Sequence, residues 1–470
     1  MKKLVKIICI MLSILCMMQI QVIMASSTTK STAWPSGPNE SSIVADSAIV
    51  MEASTGLILY EKNIDKQQYP ASITKIMTAL LVIENAALDE VVTFSNNAVY
   101  GIEPGSSHIA VEVGEQLTIE QCLYAIMLES ANEVCLGVAE HISGSVDAFV
   151  DLMNKRAKEL GCTNTHFVNP NGLHDDKHYV SARDMALISQ AAISNETFRK
   201  VTGTKQYTIP ETNKKEPRTW IKNHNQMVYG YKYPKYQYDY CIGGKTGYTM
   251  KAQSTLVTFA EKDGMTLICV VLKDLGPTYA ENEYTDTTKL FDYCFKNFSL
   301  HEVTSEEDSS MEVNSSLFTR YSALLNDVNP LIYLAPNTNV ILPKGVQFND
   351  LEQSITYNNL SSFQEGENHI GTVTYTYKDK VLGTGDILYN IYDLTQLTTN
   401  TEVNANTEMI PLNHGSGRSV NIIAIIIAVV VVGGGFIYYM FIVYKRRRNT
   451  AYYRRRKQEY YSRRNPYDDL

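Results

Sequence analysis

The sequence of 470 residues lacks the cysteine patterns that mark metal sites. Its eight cysteines include no Cys-x-x-Cys pair and no cluster with histidine at metal-ligand spacing, so the sequence predicts no metal centre. Six of the cysteines follow residue 25, and the apolar patterns around several of them favour buried free thiols over disulfides. Internal repeats are also absent, which excludes a solenoid or other repeat architecture.

Long apolar stretches occur near the two ends of the chain. Residues 1–25 combine three early lysines with an apolar core and a small residue, Ala25, at a suitable cleavage point, which is typical of a secretory signal peptide. Residues 421–444 predict a transmembrane helix, because the apolar run 422–444 would be roughly 34 Å long as a helix, enough to span a bilayer. Ten basic and three acidic residues then occupy the stretch from Lys445 to the end, which predicts a cytoplasmic tail over residues 445–470.

These two segments predict a single-pass protein of the cell membrane whose bulk lies outside the cell. The formal net charge is −8 although the tail is basic, so the outer part is strongly acidic. An acidic surface argues against nucleic acid as a partner, and the partner expected from the apolar segment is the plasma membrane.

The part between the two ends divides into regions with different patterns. Residues 26–42 are rich in Ser, Thr, Pro and Gly and predict a flexible leader. Strand-like and helix-like patterns alternate over residues 43–299, which predicts one α/β domain with a substantial core. Short β-type runs punctuated by Asn, Gly and Pro predict a small all-β domain over residues 300–395, and the polar residues 396–420 predict a linker.

A serine and a lysine three positions apart, Ser72 and Lys75, form the first chemical motif. They follow Pro70 at the predicted start of a helix, so the two side chains are expected to share one face. An amine beside a serine hydroxyl can activate the hydroxyl without histidine. Alone, however, this tetrapeptide is a weak signal, and its simplest interpretation is a surface serine beside a solvated lysine.

Two later motifs strengthen the chemical interpretation. Ser130-Ala131-Asn132 lies in the segment from Ile119 to Ala139, which is helical in period, and Lys245-Thr246-Gly247 precedes two strand-like runs. Together with Ser72 and Lys75, in this order and spacing, they resemble the active-site serine family that recognises penicillin. The resemblance is greatest to the low-molecular-mass penicillin-binding proteins that act as D-alanyl-D-alanine carboxypeptidases, and it covers about residues 40–395. Further segments that carry it are Tyr69 to Thr78, Phe167 to His174, Ser181 to Met185 and Gly243 to Thr249.

The resemblance implies both a fold and an activity. The implied fold is an α/β (α+β) catalytic domain of the β-lactamase/transpeptidase type, an antiparallel sheet flanked by helices, followed by the small β domain and the single transmembrane helix. The implied activity is that of a serine-type carboxypeptidase that removes the terminal D-alanine from peptidoglycan stem pentapeptides through an acyl-enzyme on Ser72. The implied inhibitors are β-lactam antibiotics, and no metal or organic cofactor is implied.

The same resemblance implies roles for the motif residues. Ser72 would be the nucleophile, Lys75 the general base and Ser130 the proton relay. Lys75 can act as a base only if burial and the nearby cation Lys245 lower its pKa. The implied substrate-binding residues are Asn132, Lys245, Thr246, Gly247, Tyr248 and His224. The oxyanion is expected between the backbone N–H groups of Ser72 and Tyr248.

One departure from the family concerns the substrate carboxylate. Some relatives carry an arginine before the Lys-Thr-Gly strand that helps bind it, and His224 or Lys222 would take that place here.

We expect His174 and His178 to be structural, because the site already has a base. Asp184 is expected to cap or pair locally.

Three alternatives stay open. A D,D-endopeptidase of the same family would cut cross-links rather than stem ends. A serine β-lactamase would need to activate the deacylating water, but the Glu-x-x-Leu-Asn segment that one large class uses does not occur between Asn132 and Lys245. A catalytically silent wall-binding protein would be expected to have lost some of the motif residues that this chain retains.

Overall fold

The computed structural model of the chain describes residues 34–274, 282–303, 332–358, 364 and 366–391. Outside them lie the predicted signal peptide (1–25), linker (396–420), membrane helix (421–444) and tail (445–470), with parts of the leader and of the β domain. Within the described ranges, no helix is both long and apolar enough to cross a membrane. The predictions made for the segments outside these ranges therefore stay predictions.

The described residues fold into helices and strands with the following bounds. The α-helices are α1 (Lys75–Asn85), α2 (Asn96–Tyr100), α3 (Ile119–Leu128), α4 (Asn132–Ser143), α5 (Val146–Glu159), α6 (Ala182–Ile193), α7 (Glu196–Gly203) and α8 (Asn282–Asn297). The first ten strands are β1 (Ala45–Glu52), β2 (Ile58–Lys62), β3 (Val91–Thr93), β4 (Gln116–Thr118), β5 (Gln206–Ile209), β6 (Arg218–Lys222), β7 (Cys241–Thr249), β8 (Gln253–Lys262), β9 (Met265–Asp274) and β10 (Phe298–Glu302). Five more follow, β11 (Ile332–Leu334), β12 (Asn339–Pro343), β13 (Glu352–Tyr357), β14 (Gly366–Tyr377) and β15 (Lys380–Ile391).

The main sheet is antiparallel, has the strand order β2-β1-β9-β8-β7, and is covered on both faces. Side chains alternate between the two faces of a strand. Ile49 and its cross-strand partner Val270 therefore join one hydrophobic cluster with α1, α3 and α4. Val50 and its partner Cys269 join a second cluster with α8 on the other face. Burial on both faces explains why the sequence of β9 is almost continuously apolar.

Two local features near the predicted motifs differ from the sequence-based expectation. Ala71–Thr74 form a 3-10 turn, and α1 begins only at Lys75. Residues three apart still eclipse each other in a 3-10 turn, so Ser72 and Lys75 share a face as predicted. The helical pattern from Ile119 to Ala139 is interrupted, because Ser130 has a φ of 61°, which a right-handed helix cannot contain.

A second group of strands follows α8. Strand β10 pairs with β12, and β11, β15, β14 and β13 form a separate four-stranded antiparallel sheet in that order. Strands β12, β13 and β14 contain the β-type runs that the sequence has at residues 339–342, 353–357 and 371–377. The hairpin between β14 and β15 turns through Lys378 and Asp379, both with positive φ, which matches the right-handed twist of its strands.

The leader is packed against the rest of the chain from Trp34 onward. The Trp34 ring lies 5.2 Å from the Phe298 ring, and Lys380 Nζ lies 4.8 Å from the centre of the Trp34 ring. The Tyr293 hydroxyl donates a hydrogen bond to the Pro35 carbonyl at 2.9 Å. The described part of the predicted leader therefore makes aromatic and hydrogen-bond contacts with residues of α8, β10 and β15.

Candidate active site

Lys75 is the centre of the candidate site, and its side chain is fully buried. Its Nζ lies 3.1 Å from Ser72 Oγ, as expected from their shared face. It also lies 2.7 Å from Asn132 Oδ1, at the start of α4, and 2.5 Å from the main-chain carbonyl of Asn171. The structure thus joins the first and second sequence motifs through one amine.

Burial changes the acid–base properties of the two lysines of the site. It lowers the pKa of Lys75 to about 8, although the neighbouring Cys135 and Glu133 act in the opposite direction. Burial also lowers the pKa of Lys245, and the charge of Lys75 lowers it further, to about 7. Desolvation is therefore the larger cause in both cases, and the repulsion between the two ammonium groups is the second cause for Lys245.

The Ser130-Ala131-Asn132 motif occupies the connection between α3 and α4. The Ser130 hydroxyl is buried and has no hydrogen-bond partner among the residues that the structure describes. Asn132 donates its backbone N–H to the Ser107 carbonyl at 2.9 Å, while its side-chain oxygen accepts from Lys75. The left-handed φ of Ser130 thus lies at the break that separates the two helices.

The Lys-Thr-Gly motif lies on β7, which is an edge strand of the main sheet. A β-carbon at Gly247 would lie 2.9 Å from the backbone nitrogen of Ser72, so only glycine lets β7 approach the Ser72 turn this closely. The Thr255 hydroxyl on β8 donates to the Pro70 carbonyl at 2.8 Å and holds the same turn. Lys245 is buried and donates to the Thr246 carbonyl, whereas Tyr248 is exposed.

The side chain of His224 is paired with a carboxylate. Its Nε2 lies 3.1 Å from Oε2 of Glu129, the residue before Ser130. The other carboxylate oxygen of Glu129 accepts the backbone N–H of Lys222 at 2.7 Å. The histidine that sequence reasoning assigned to the substrate is thus already paired with a carboxylate, which the sequence did not indicate.

The loop at Asn171 is a part of the site that sequence reasoning did not assign. Besides the Asn171 carbonyl on Lys75, the Pro170 carbonyl accepts a hydrogen bond from Thr78 of α1 at 2.5 Å. Gly172 follows with a φ of 81°. The segment Phe167 to His174 supported the family resemblance, but every residue has a carbonyl, so no residue type marked this contact.

His178 is hydrogen-bonded to Thr74, the residue before Lys75, as expected for a structural histidine. Its Nδ1 accepts the backbone N–H of Val168 at 3.2 Å, so Nε2 carries the proton and donates to Thr74 Oγ1 at 2.9 Å. Burial lowers the pKa of His178 to about 3 and keeps the ring neutral. His174 packs edge-on against Tyr69, and Asp184 accepts the backbone N–H of Asn164.

Two further observations concern cysteines and metals. Cys122, Cys135, Cys162, Cys241, Cys269 and Cys294 are free thiols in the structure, and four of them are fully buried. In the described part of the chain, no group of three or more His, Cys, Asp or Glu side chains is placed to hold a metal ion. The prediction that the chemistry needs no cofactor stays a prediction.

Comparison with known proteins identifies the family. The profile of the D-alanyl-D-alanine carboxypeptidase family matches residues 32–276. The chain is 34% identical over 345 residues to the D-alanyl-D-alanine carboxypeptidase DacF of Bacillus subtilis, an alignment that covers 72% of this chain and 83% of that protein. The chain belongs to the D-alanyl-D-alanine carboxypeptidase family. It is therefore a serine-type D,D-carboxypeptidase, as predicted from its three motifs.

Solved structures of related proteins show the same fold as this carboxypeptidase. Penicillin-binding protein 5 of Haemophilus influenzae matches with a TM-score of 0.57 and 26% identity, covering 76% of this chain and 99% of that one. The Streptomyces K15 DD-transpeptidase matches with a TM-score of 0.50 and 32% identity, covering 56% of this chain and 100% of that one. The predicted penicillin-binding, transpeptidase-like fold with an antiparallel sheet and helices is thus confirmed.

Proposed function

We propose that the carboxypeptidase removes the terminal D-alanine from peptidoglycan stem pentapeptides through an acyl-enzyme on Ser72. The observation that carries this proposal is the set of contacts around Lys75 Nζ. A neutral amine has two hydrogens and one lone pair, and Asn132 Oδ1 and the Asn171 carbonyl can only accept hydrogen bonds. The two hydrogens are used on these acceptors, so the lone pair is left for the hydroxyl hydrogen of Ser72.

Acylation follows from this arrangement. Ser72 Oγ attacks the carbonyl carbon of the penultimate D-alanine while Lys75 Nζ accepts the hydroxyl proton. The carbonyl oxygen becomes an oxyanion between the backbone N–H groups of Ser72 and Tyr248. The close approach of Gly247 to the Ser72 turn supports this role, since it brings β7 and the turn to the same side of the nucleophile.

The remaining residues protonate the leaving D-alanine and bind the substrate, and hydrolysis of the acyl-enzyme completes the reaction. Ser130 passes the proton to the nitrogen of the terminal D-alanine as the peptide bond breaks, and water then hydrolyses the Ser72 ester and restores the hydroxyl. The terminal carboxylate is held by Lys245 and Thr246, and the amide backbone of the peptide by Asn132. In this proposal Gly247, Tyr248 and His224 line the substrate site.

We also propose where the carboxypeptidase works. The sequence of residues 1–25 and 421–444 supports secretion and anchoring, with the catalytic part outside the plasma membrane and residues 445–470 inside. The test is protease treatment of intact cells that produce a tail-tagged protein. Loss of the catalytic part with retention of a small tagged fragment in the membrane is expected, and full protection of the chain would overturn the orientation.

The first experiment for the mechanism follows the intact mass of the full-length protein after exposure to benzylpenicillin, with Ser72→Ala as the control. A lasting penicilloyl adduct that requires Ser72 is expected, because β-lactams acylate the serine that attacks the peptide. An adduct that disappears with rapid drug turnover would instead indicate a β-lactamase. No adduct on folded protein would favour a silent wall-binding protein.

A second measurement separates the carboxypeptidase from its nearest alternative. Release of D-alanine from a stem pentapeptide and cleavage of a D,D-cross-linked dimer are compared with the same preparation. Faster release from the pentapeptide supports the proposal. Faster cleavage of the cross-linked dimer would identify a D,D-endopeptidase of the same family.

A further inference from the structure

A surface of aromatic side chains and a lysine begins beside the candidate active site, at the end of β6. The backbone N–H of Lys222 donates to Oε1 of Glu129, the residue before the second motif, at 2.7 Å. The Asn223 side chain donates to the Thr202 carbonyl at 2.9 Å. The Thr202 hydroxyl in turn donates to the carbonyl of Gly244 and accepts its N–H, both at 2.9 Å, just before the third motif. Hydrogen bonds therefore connect the end of β6 to the residues that precede both motifs.

The aromatic–lysine surface consists of Trp220, Lys222, Tyr229 and Tyr231. Ile221 is buried in the core, so Trp220 and Lys222 on either side of it emerge on the outer face of β6. Lys222 Nζ lies 5.3 Å from the centre of the Tyr231 ring, and the Tyr229 and Tyr231 rings lie 5.1 Å apart. Trp220 is 46% exposed and Tyr231 is 43% exposed. Two large aromatic side chains next to a lysine are thus open to a ligand.

The charge and the exposed aromatic residues of this part of the chain differ from those of the rest. Residues 205–251 contain nine Lys or Arg and three Asp or Glu, whereas the whole chain has a formal net charge of −8. Six Trp or Tyr side chains are exposed among the residues that the structure describes, and four of them lie in the same stretch, namely Trp220, Tyr231, Tyr240 and Tyr248. Exposed apolar rings gathered in a locally basic part of an acidic protein indicate an interaction surface for an anionic ligand.

We propose that the aromatic–lysine surface binds the glycan strand to which the stem peptide is attached, an inference that rests on the proposed function. The C–H groups on the face of a sugar ring pack well on aromatic rings, whose faces carry negative partial charge. Lys222 attracts the carboxylates that the substituents of the strand carry. Since the surface begins at residues bonded to the catalytic motifs, a polymer whose peptide occupies the active site is the ligand that can reach both.

Binding of the glycan strand affects only those substrates that carry it. The energy gained away from the reacting bond raises kcat/KM for a pentapeptide on a glycan strand, but not for the same pentapeptide free in solution. Trp220→Ala and Tyr231→Ala are each expected to lower the ratio of these two kcat/KM values about three- to tenfold, the effect of losing one aromatic contact. A purely structural role of either ring would lower both values alike and leave the ratio unchanged.

The test compares D-alanine release by the full-length protein in detergent from two substrates. One is an uncross-linked glycan strand that carries pentapeptides, and the other is the free pentapeptide. The readout is the ratio of the two kcat/KM values for wild type, Trp220→Ala and Tyr231→Ala. Thermal unfolding of each variant shows whether it is folded, and either variant alone suffices for the test.

Two other exposed tyrosines provide matched controls. Tyr240 is 40% exposed and has Lys262 Nζ 4.5 Å from the centre of its ring, but it is seven residues from Gly247, roughly 20 Å along β7. Tyr357 is 46% exposed, like Trp220, and lies on β13 in the separate four-stranded sheet. Tyr240→Ala and Tyr357→Ala are expected to keep the wild-type ratio.

A binding measurement tests the surface without turnover. Full-length Ser72→Ala protein is titrated with peptide-free glycan strands, and addition of Trp220→Ala to this protein is expected to weaken binding about three- to tenfold. Anionic phospholipid is tested in parallel as mixed micelles with phosphatidylglycerol, because Trp, Tyr and Lys are also the residues that suit a membrane interface. Binding to these micelles that depends on Trp220, without binding to glycan strands, would assign the surface to the membrane and overturn the inference.

The outcomes of the two measurements are distinct. A lower ratio in Trp220→Ala or Tyr231→Ala, with both controls unchanged, supports the inference. A wild-type protein that does not prefer the glycan-linked pentapeptide, or variants that keep the wild-type ratio, would overturn it. If the wild-type protein releases no D-alanine from either substrate and forms no Ser72-dependent adduct with benzylpenicillin, then the proposed function has failed. Binding of glycan strands by the Ser72→Ala protein would still decide what the surface binds.

Discussion

Gly172 lies against the main-chain carbonyl of Ala71 so closely that a β-carbon at residue 172 would be only 1.9 Å from that oxygen. Its φ of 81° is also in the left-handed region, where glycine alone is unstrained. Ala71 precedes Ser72, and Asn171 beside Gly172 provides the carbonyl that contacts Lys75. The Asn171-Gly172 loop therefore contacts both Lys75 and the turn that carries Ser72.

The first prediction tests these contacts. Gly172→Ala is expected to lower the rate of acylation by benzylpenicillin at least about tenfold and to cost about 1–3 kcal/mol of stability, because the loop or the Ser72 turn must move. The control is Gly161→Ala, since Gly161 has a φ of 82° but, among the described residues other than its chain neighbours, no atom within 4 Å of the added carbon. Equal acylation rates in the two variants would show that the contact does not position Ser72.

The second prediction concerns the pH dependence of acylation. Lys75 must be neutral to accept the Ser72 proton, whereas Lys245 must be charged to hold a carboxylate. Their pKa values are lowered to about 8 and about 7, so the two lysines titrate as a coupled pair. The acylation rate is therefore expected to rise as the pair loses its first proton and to fall as it loses the second, which gives a bell-shaped profile.

Lys245→Gln separates the two limbs of that profile. Without the Lys245 charge the Lys75 ammonium is less disfavoured, so the acid limb is expected to move to higher pH by up to about one unit. The alkaline limb should disappear, and the maximal rate should fall because the carboxylate loses its partner. Lys75→Ala is expected to leave the fold intact and abolish acylation. An alkaline limb that persists in Lys245→Gln would contradict this assignment.

Much of the site was predictable because its signals are local. The contact of Ser72 with Lys75 follows from a spacing of three residues, which places the side chains together in either an α-helix or a 3-10 turn. The hairpin of β8 and β9 turns at Asp263 and Gly264, where the sequence has a turn dipeptide between two apolar runs. Such features need no knowledge of the rest of the fold.

The features that could not be predicted depend on long-range contacts or on generic groups. The Asn171 carbonyl meets Lys75 across 96 positions of the chain, and a backbone carbonyl has no residue type to mark it. Glu129 and His224 are separated by 95 positions. The helix break at Ser130 contains neither Gly nor Pro, and the apolar period continues through it, so periodicity predicted one helix.

The third prediction concerns Glu133, a buried carboxyl beside Asn132. Its Oε1 accepts the Ile109 N–H at 2.7 Å, and its Oε2 has no hydrogen-bond partner in the part of the chain described. Burial raises the pKa of Glu133. Such a group stabilises the fold at low pH and loses that contribution as pH rises through its folded-state pKa. Glu133→Gln, which cannot ionise, should therefore gain stability relative to wild type as pH rises.

Urea unfolding of wild type and Glu133→Gln from about pH 4 to pH 8 measures this difference. Glu133→Ala serves as the comparison, because it also removes the acceptor of the Ile109 N–H. It is expected to be about 1–3 kcal/mol less stable than Glu133→Gln at every pH, because neither variant can ionise and Glu133→Ala leaves a buried donor unpaired. A stability difference between Glu133→Gln and wild type that stays constant with pH would mean that Glu133 titrates alike in the folded and unfolded chain.

The fourth prediction concerns His178, which is hydrogen-bonded to Thr74, the residue before Lys75. Burial lowers the pKa of His178 to about 3, far below the value of about 6.5 for histidine in an unfolded chain. As pH falls, the unfolded chain therefore binds a proton on His178 at pH values where the folded protein does not. Stability from this group is present above about pH 6.5 and is lost as the pH falls toward the folded-state value, with a slope of about 1.4 kcal/mol per pH unit. His178→Gln cannot take up the proton, so its stability should fall less steeply between about pH 6 and pH 4.

Urea unfolding of both proteins measures the slopes, and His141→Gln, at a partly exposed position, should keep the wild-type slope. Equal slopes for wild type and His178→Gln would mean that the buried ring accepts a proton without cost, and its hydrogen bond to Thr74 would then not depend on its neutral form.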